Sequence, residues 1–202
     1  MKVVIVHYGL GNVSSIKNML SYLGFDAVIS GDESTIKQAD KLILPGVGAF
    51  DRGMTHIKEK NLLDVLNTKA QIEKKPILGI CLGMQLMCSK SEEGVLGGLN
   101  WFDADVIRFP KGSKIRVPHM GWNSITIKKE SHLIDSDDDQ AFYFVHSYHV
   151  STKKTDDILF TTPYGNEFTS AIHRDNIYGV QFHPEKSHRY GMALLKNFML
   201  NT

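Results

Sequence analysis

Apolar residues follow two rhythms along the chain. In the first half, uninterrupted apolar runs at 2–6, 41–44 and 76–80 alternate with segments whose apolar residues recur at three and four, as Ile16, Met19, Leu20 and Leu23 do. Continuous runs suit strands covered on both faces, and the three-to-four spacing suits amphipathic helices. This predicts strands at 2–6, 25–29, 41–44 and 76–80. Helices are predicted from Val13 to a stop at Gly24, briefly at 36–39, then at 51–58, 62–73 and 82–89. Alternating strands and helices imply a mostly parallel sheet with helices on both faces. The second half changes character. Short segments at 104–109, 122–127, 142–148, 158–162, 169–173 and 178–182 read as strands, and several alternate apolar with polar residues. That pattern predicts an antiparallel extension with one solvated face, closed by a helix at 192–200. The acidic stretch 135–139 reads as a solvated loop.

With 202 residues, 42% of them hydrophobic, the chain supports one core, so a single α/β domain spanning 1–202 is expected. Lysine and arginine number 23 against 22 aspartates and glutamates; this balance offers no footprint for nucleic acid or an anionic membrane surface. The first apolar run is too short for a signal segment or a membrane span. Only two cysteines occur, Cys81 and Cys88, without the spacing of a zinc site, so neither a disulfide framework nor a metal centre is expected. A cytoplasmic setting fits.

In an open parallel sheet, chemistry collects in the loops at the carboxyl ends of strands. One such loop, Gly9-Leu10-Gly11-Asn12-Val13-Ser14 with Asp32 downstream, approximates a dinucleotide-binding fingerprint, but Ser14 stands where the third glycine is needed. A second, Pro45-Gly46-Val47-Gly48, can turn backbone N–H groups toward an anion. The third, Gly79-Ile80-Cys81-Leu82-Gly83, closes an apolar run and opens a helix, as a nucleophile elbow does, with a thiol at its centre. The N–H of Leu82 there lies beside the sulfur, and a helix N-terminus favours thiolate, the nucleophilic form. The plainer alternative is a packed core cysteine.

A cysteine nucleophile needs a base, and among nine histidines His183 stands out, since Gln181-Phe182-His183-Pro184-Glu185 ends a predicted strand. Pro184 favours an extended His183. Glu185, two residues on, then shares its face and can fix the imidazole tautomer. His146 and His149, three apart in a predicted strand, fall on opposite faces, which argues against a metal site.

Together, Pro45-Gly46-Val47-Gly48-Ala49-Phe50, Gly79-Ile80-Cys81-Leu82-Gly83-Met84-Gln85 and Gly179-Val180-Gln181-Phe182-His183-Pro184-Glu185 closely resemble the triad-type (class I) glutamine amidotransferases. Tyr8-Gly9-Leu10-Gly11-Asn12, Pro118-His119-Met120-Gly121-Trp122-Asn123, Tyr143 to Tyr148 and Lys186-Ser187 make the resemblance strongest to the glutaminase subunits of histidine biosynthesis. One departure is His7, where those subunits usually have aspartate. The resemblance implies a flavodoxin-like fold and Cys81, His183 and Glu185 as the catalytic set. Gly46, Val47 and Leu82 would form the oxyanion hole, and Gly48, Gln85, His146, Ser147 and Tyr148 would bind the glutamine substrate. No cofactor is implied. Asn12, Trp122, Tyr143 and Lys186 would face a synthase partner, a (β/α)₈ cyclase that receives ammonia. Similar paralogues supply sugar amidotransferases of glycan pathways. A non-catalytic scaffold of the same fold, or a cysteine hydrolase of another small amide, are the remaining alternatives.

Overall fold

The computed structural model describes residues 1–110, 115–134 and 140–202. In chain order its first half comprises β1 (Val3–Val6), α1 (Val13–Tyr22), β2 (Ala27–Ser30), α2 (Glu33–Lys37), β3 (Lys41–Gly46), α3 (Phe50–Glu59), α4 (Leu63–Asn67), β4 (Ile77–Cys81) and α5 (Leu82–Leu86). The second half contains β5 (Lys90–Ser91), β6 (Ala104–Arg108), β7 (His119–Ser124), β8 (Thr126–Ile127), β9 (Ala141–His146), β10 (Tyr148–Thr152), β11 (Ile158–Tyr164), β12 (Asn166–Arg174), β13 (Ile177–Val180) and α6 (His188–Asn201).

The main sheet runs β2-β1-β3-β4-β13-β12-β10-β6-β5, with β11 on β12 and β8 on β11. From β2 to β13 every pairing is parallel. Beyond β13 the pairings turn antiparallel, apart from the short β5 alongside β6. This is the α/β mixed sheet with an antiparallel extension that the two rhythms predict. The central strands have no solvated side, and alternate residues explain why. Val4 and Val6 of β1 join one core with Leu42, Leu44, Phe50 and Leu66, while Val3 and Ile5 join the other with Ile16, Ile43, Phe198 and Leu195.

Two buried lysines sit at helix ends. Lys41 Nζ donates to the carbonyls of Phe198, at 2.8 Å, and Met199, satisfying the C-terminal turn of α6 where a cation is favoured. Lys69 Nζ donates to Ala39 O at 3.1 Å and pairs with Glu73 at 2.7 Å.

Several predicted boundaries move. The helix expected over 62–73 is α4 followed by a π-helical turn (Thr68–Ile72), in which Glu73 N–H reaches back five residues to Thr68 O at 2.8 Å. The helix expected to reach 89 ends at Leu86. The strand expected over 142–148 is two strands: β9 pairs with β7 in a separate two-stranded sheet, and after Ser147 the chain enters the main sheet as β10. The strand expected over 122–127 likewise divides, β7 beginning at His119 and β8 pairing with β11. Pairing partners far along the chain set these breaks, and local hydrophobicity carries no record of them. The acidic stretch 135–139 lies outside the described residues. No helix is long and apolar enough to cross a membrane among the described residues.

Candidate active site

Cys81 ends β4 with φ 53° and ψ −108°, a left-handed conformation unusual for a residue with a side chain, and α5 begins at the next residue. The glycines around it permit this turn. A Cβ on Gly83 would collide with the Leu44 carbonyl, and one on Gly79 would lie 2.8 Å from Met84 N, so α5 packs directly on β3 and β4. The elbow predicted from five residues is therefore present. Because α5 is only five residues long, its dipole supplies less than a helix reaching 89 would.

The loop after β13 carries His183. His183 Nδ1 lies 2.9 Å from Glu185 Oε1, and both side chains are buried. His183 is extended, as Pro184 requires, but Pro184–Lys186 forms a 3₁₀ turn rather than continuing extended. Glu185 still reaches the ring because that turn folds it back. The loop is held from β9: His183 N–H donates to Tyr143 O at 2.9 Å, Tyr143 N–H donates to Ser187 Oγ at 3.0 Å, and Ser187 Oγ–H donates to His183 O at 2.6 Å.

Burial alone would lower the His183 pKa. Cys81 and Glu185 more than offset that cost and raise it to about 10, favouring imidazolium at neutral pH. His183 Nε2 is buried and its interaction with Cys81 is the one that helps raise the pKa; with Nδ1 committed to Glu185, Nε2 is the nitrogen left for proton transfer. Cys88 provides the contrast. It lies buried in the core, its thiol pKa pushed up by burial, with Met84 O as its 3.8 Å acceptor.

Cys81 and His183 open onto a cleft of about 420 Å³ that is also lined by Val47, Gly48, Leu82, Gln85, His146, Ser147 and Tyr148. Gly48 has φ 105°. Gly46 lies one step back, opposite Cys81 in the β3–β4 pairing and packed against the Tyr8 hydroxyl, where a Cβ could not fit. Glu93 also lines the cleft, its Oε2 accepting from Phe50 N–H at 2.8 Å. Sequence reasoning passed over Glu93, and the only trace of it there is a Glu-Glu pair just before Gly94. Asp51 fastens the same loop by accepting from Val95 N–H at 2.9 Å and Leu96 N–H at 3.0 Å.

Trp122, 46% exposed, stacks on His188 at 5.4 Å and meets Tyr143 edge-on, while the Lys186 ammonium lies 5.7 Å from the Tyr143 ring. Asn12 precedes α1, which packs against the turn carrying Lys186. Asp32 caps α2, accepting from Thr35 N–H at 2.8 Å and Ser34 Oγ–H, which accounts for it without a ribose. His7 is exposed at the end of β1. His146 and His149 are not on opposite faces of one strand. They lie on different strands with Phe109 against both rings, at 5.2 and 4.7 Å, because the chain changes sheets at Ser147. Among the described residues no group of three or more His, Cys, Asp or Glu is placed to hold a metal ion.

Residues 4–202 fit the model of glutamine amidotransferase class-I. The chain belongs to that family. Its relatives include imidazole glycerol phosphate synthase subunit HisH 2 of Methanococcus maripaludis, 54% identical over 98% of both chains. The protein of the same name in Pseudomonas aeruginosa is 48% identical, also over 98% of both. Subunit HisH of Leptospira interrogans is 42% identical over 96% of this chain and 97% of its own. Solved structures of similar fold include PurLQS from Thermotoga maritima (TM-score 0.77, 15% identity, 98% of this chain and 97% of that one). A GMP synthase protein from Thermoplasma acidophilum is also similar (TM-score 0.74, 21% identity, 98% and 92%).

Proposed function

We propose that this chain is the glutaminase subunit of an imidazole glycerol phosphate synthase, releasing ammonia from glutamine for a synthase partner. The observation that carries the reading is the His183–Glu185 pair at 2.9 Å, with His183 Nε2 left to interact with a cysteine at a left-handed elbow. Relatives at 42–54% identity over nearly the whole chain support histidine biosynthesis over a glycan pathway or a scaffold.

Cys81 thiolate attacks the side-chain carboxamide carbon of glutamine, and the carbonyl π electrons move onto oxygen. N–H groups of the Gly46-Val47 turn and of Leu82 hold that oxyanion, at about 3–4 kcal/mol per donor in comparable sites. As the tetrahedral intermediate collapses, His183 gives its Nε2 proton to the departing nitrogen, and ammonia leaves a thioester on Cys81. His183 then takes a proton from water, whose oxygen attacks the thioester carbon, and glutamate leaves as the thiolate returns. Glu185 stays ionised and holds the ring by Nδ1. Gly48, Ser147 and Tyr148, with the side-chain oxygen of Gln85 and the backbone at His146, hold the amino-acid end of glutamine. Glu93, with one oxygen committed to Phe50, offers the other to the substrate ammonium.

Protonated ammonia is no nucleophile, so it has to pass to its acceptor out of water. Trp122, Tyr143, Lys186 and Asn12 form the docking face for a (β/α)₈ cyclase. The test is glutamate release in the presence of that cyclase and its acceptor substrate. Release is expected with the wild-type chain and not with Cys81→Ala, and an active Cys81→Ala protein would overturn the reading.

A further inference from the structure

Gln181, between β13 and His183, is fully buried, and its Nε2 lies 3.6 Å from Cys81 Sγ. The orientation of that amide follows from its neighbours. The Tyr148 carbonyl can only accept, so the end of Gln85 that meets it at 3.0 Å must be the NH₂. The other hydrogen of this NH₂ goes to the Gln181 amide at 3.0 Å, which therefore presents its oxygen to Gln85 and its own NH₂ to the sulfur.

The assignment continues away from the site. His146 Nδ1 meets the same Tyr148 carbonyl at 2.8 Å and so carries a proton. Burial holds His146 neutral, its pKa lowered to about 3, so Nε2 must accept, and His119 Nδ1 donates to it at 3.0 Å. His119, lowered by burial to about 4, is left with an acceptor Nε2 that meets Asn123 Nδ2 at 3.3 Å. The second hydrogen of Asn123 goes to Pro163 O at 2.8 Å, and its oxygen accepts from Ser124 N–H. From Asn123 on β7 to the catalytic sulfur, every donor and acceptor has one consistent assignment.

We propose that Gln181 is a positioning residue for the nucleophile: its N–H stabilises and orients the Cys81 thiolate, its aim set by Gln85 and the accept-only Tyr148 carbonyl, which His146 and His119 hold in place from β7. A hydrogen bond to a charged acceptor is about twice as strong as a neutral one, and a buried, fully satisfied network keeps its members in one arrangement. This rests on Cys81 being the nucleophile. The inference adds a residue that need not touch glutamine.

The test is the pH profile of iodoacetamide alkylation of the full-length protein, with modification of the Cys81 peptide followed by mass spectrometry. Cys88 is read separately on its own peptide. His183 and Tyr8 interact electrostatically with Cys81, and His146 and Glu93 also face the cleft; all four stay in place in the variants. Gln181→Met keeps the length of the side chain and removes the donor. Its alkylation midpoint is expected about one pH unit higher, making alkylation about tenfold slower below the midpoint. His119→Phe keeps the stacking on Phe144 and Tyr164, lies outside the cleft and cuts the chain, so a smaller shift in the same direction is expected. It also supplies the answer if Gln181→Met fails to fold. Unshifted midpoints in folded variants would overturn the inference, as would a shift in Gln181→Met with none in His119→Phe. Alkylation requires no turnover, so its outcome is separable from the nucleophile reading, which fails only if Cys81→Ala retains glutaminase activity.

Discussion

The parallel half of the sheet and the antiparallel β7–β9 pair each supply one side of the cleft, and they hold their residues by different means. Cys81 is placed by its own neighbours in sequence: a buried five-residue strand, a left-handed turn and two glycines that let α5 rest on β3 and β4. His183 is placed by residues about forty positions away, through the backbone of Tyr143 in β9. The placement of Cys81 is thus a property of a short segment, whereas that of His183 depends on the second half of the chain having folded. Damage to each side should look different. Changes at the elbow should remove chemistry or several kcal/mol of stability, and changes in the β7–β9 pair should detune the site.

The largest effect tests the elbow side. Cys81→Ala should lower glutaminase turnover by roughly 10⁴-fold or more, whereas Cys88→Ala, just past the end of α5, should keep turnover and cost about 1–2 kcal/mol in urea unfolding. Comparable loss in both variants would erase the distinction between them. Next, Glu185→Gln should reduce kcat by on the order of 10³-fold with little change in KM, since it removes the group that orients the base. Steady-state kinetics with the partner present would show this. Gly83→Ala should destabilise by about 3 kcal/mol, because the new Cβ meets the Leu44 carbonyl and backbone must shift. A thermal midpoint equal to the wild type would show that α5 is not seated as described.

A pH series separates the two regions within one protein. His183 binds its proton more tightly folded than unfolded, so its stabilisation is complete below the unfolded pKa of about 6.5 and is lost as pH rises toward about 10. His119 and His146 do the opposite: their folded values of about 4 and about 3 lie below the unfolded one. Their stabilisation is complete above about pH 6.5 and is lost as pH falls through the acid range. Stability measured by denaturant should therefore decline on both limbs, with His183→Gln flattening the alkaline limb and His119→Phe the acid one. The smallest stability effect is expected at the proposed docking face: Trp122→Ala should change unfolding free energy by less than about 0.5 kcal/mol while weakening cyclase binding at least about tenfold. Calorimetric titration with the cyclase checks it.

Much of this site could be read before any coordinates. Continuous apolar runs marked β1, β3 and β4, and the glycine-flanked cysteine marked the elbow, because both signals arise from residues adjacent in the chain. Glu185 was reached by counting two along an extended segment, and it does meet His183, though through a 3₁₀ turn. Glu93 had no such local signature, since its importance comes from α3 lying beside its loop. The division of 142–148 at Ser147 was equally hidden: each side of the break is apolar enough for a strand, and only the pairing of β9 with β7 and of β10 with β6 separates them.

The α/β layering, the glycine-flanked turn at Cys81 and the proximity of Glu185 to His183 follow from the chain's local pattern. These depend on periodicity, glycine placement and residue chemistry, all of which are short-range. The tertiary structure alone decided the His183 protonation balance, the cleft's outline and the chain from Asn123 to Gln181. Desolvation, Coulomb interaction and hydrogen-bond direction depend on distances between residues 100 or more positions apart, as Gln181 and Cys81 are, and those distances exist only once the sheet has closed.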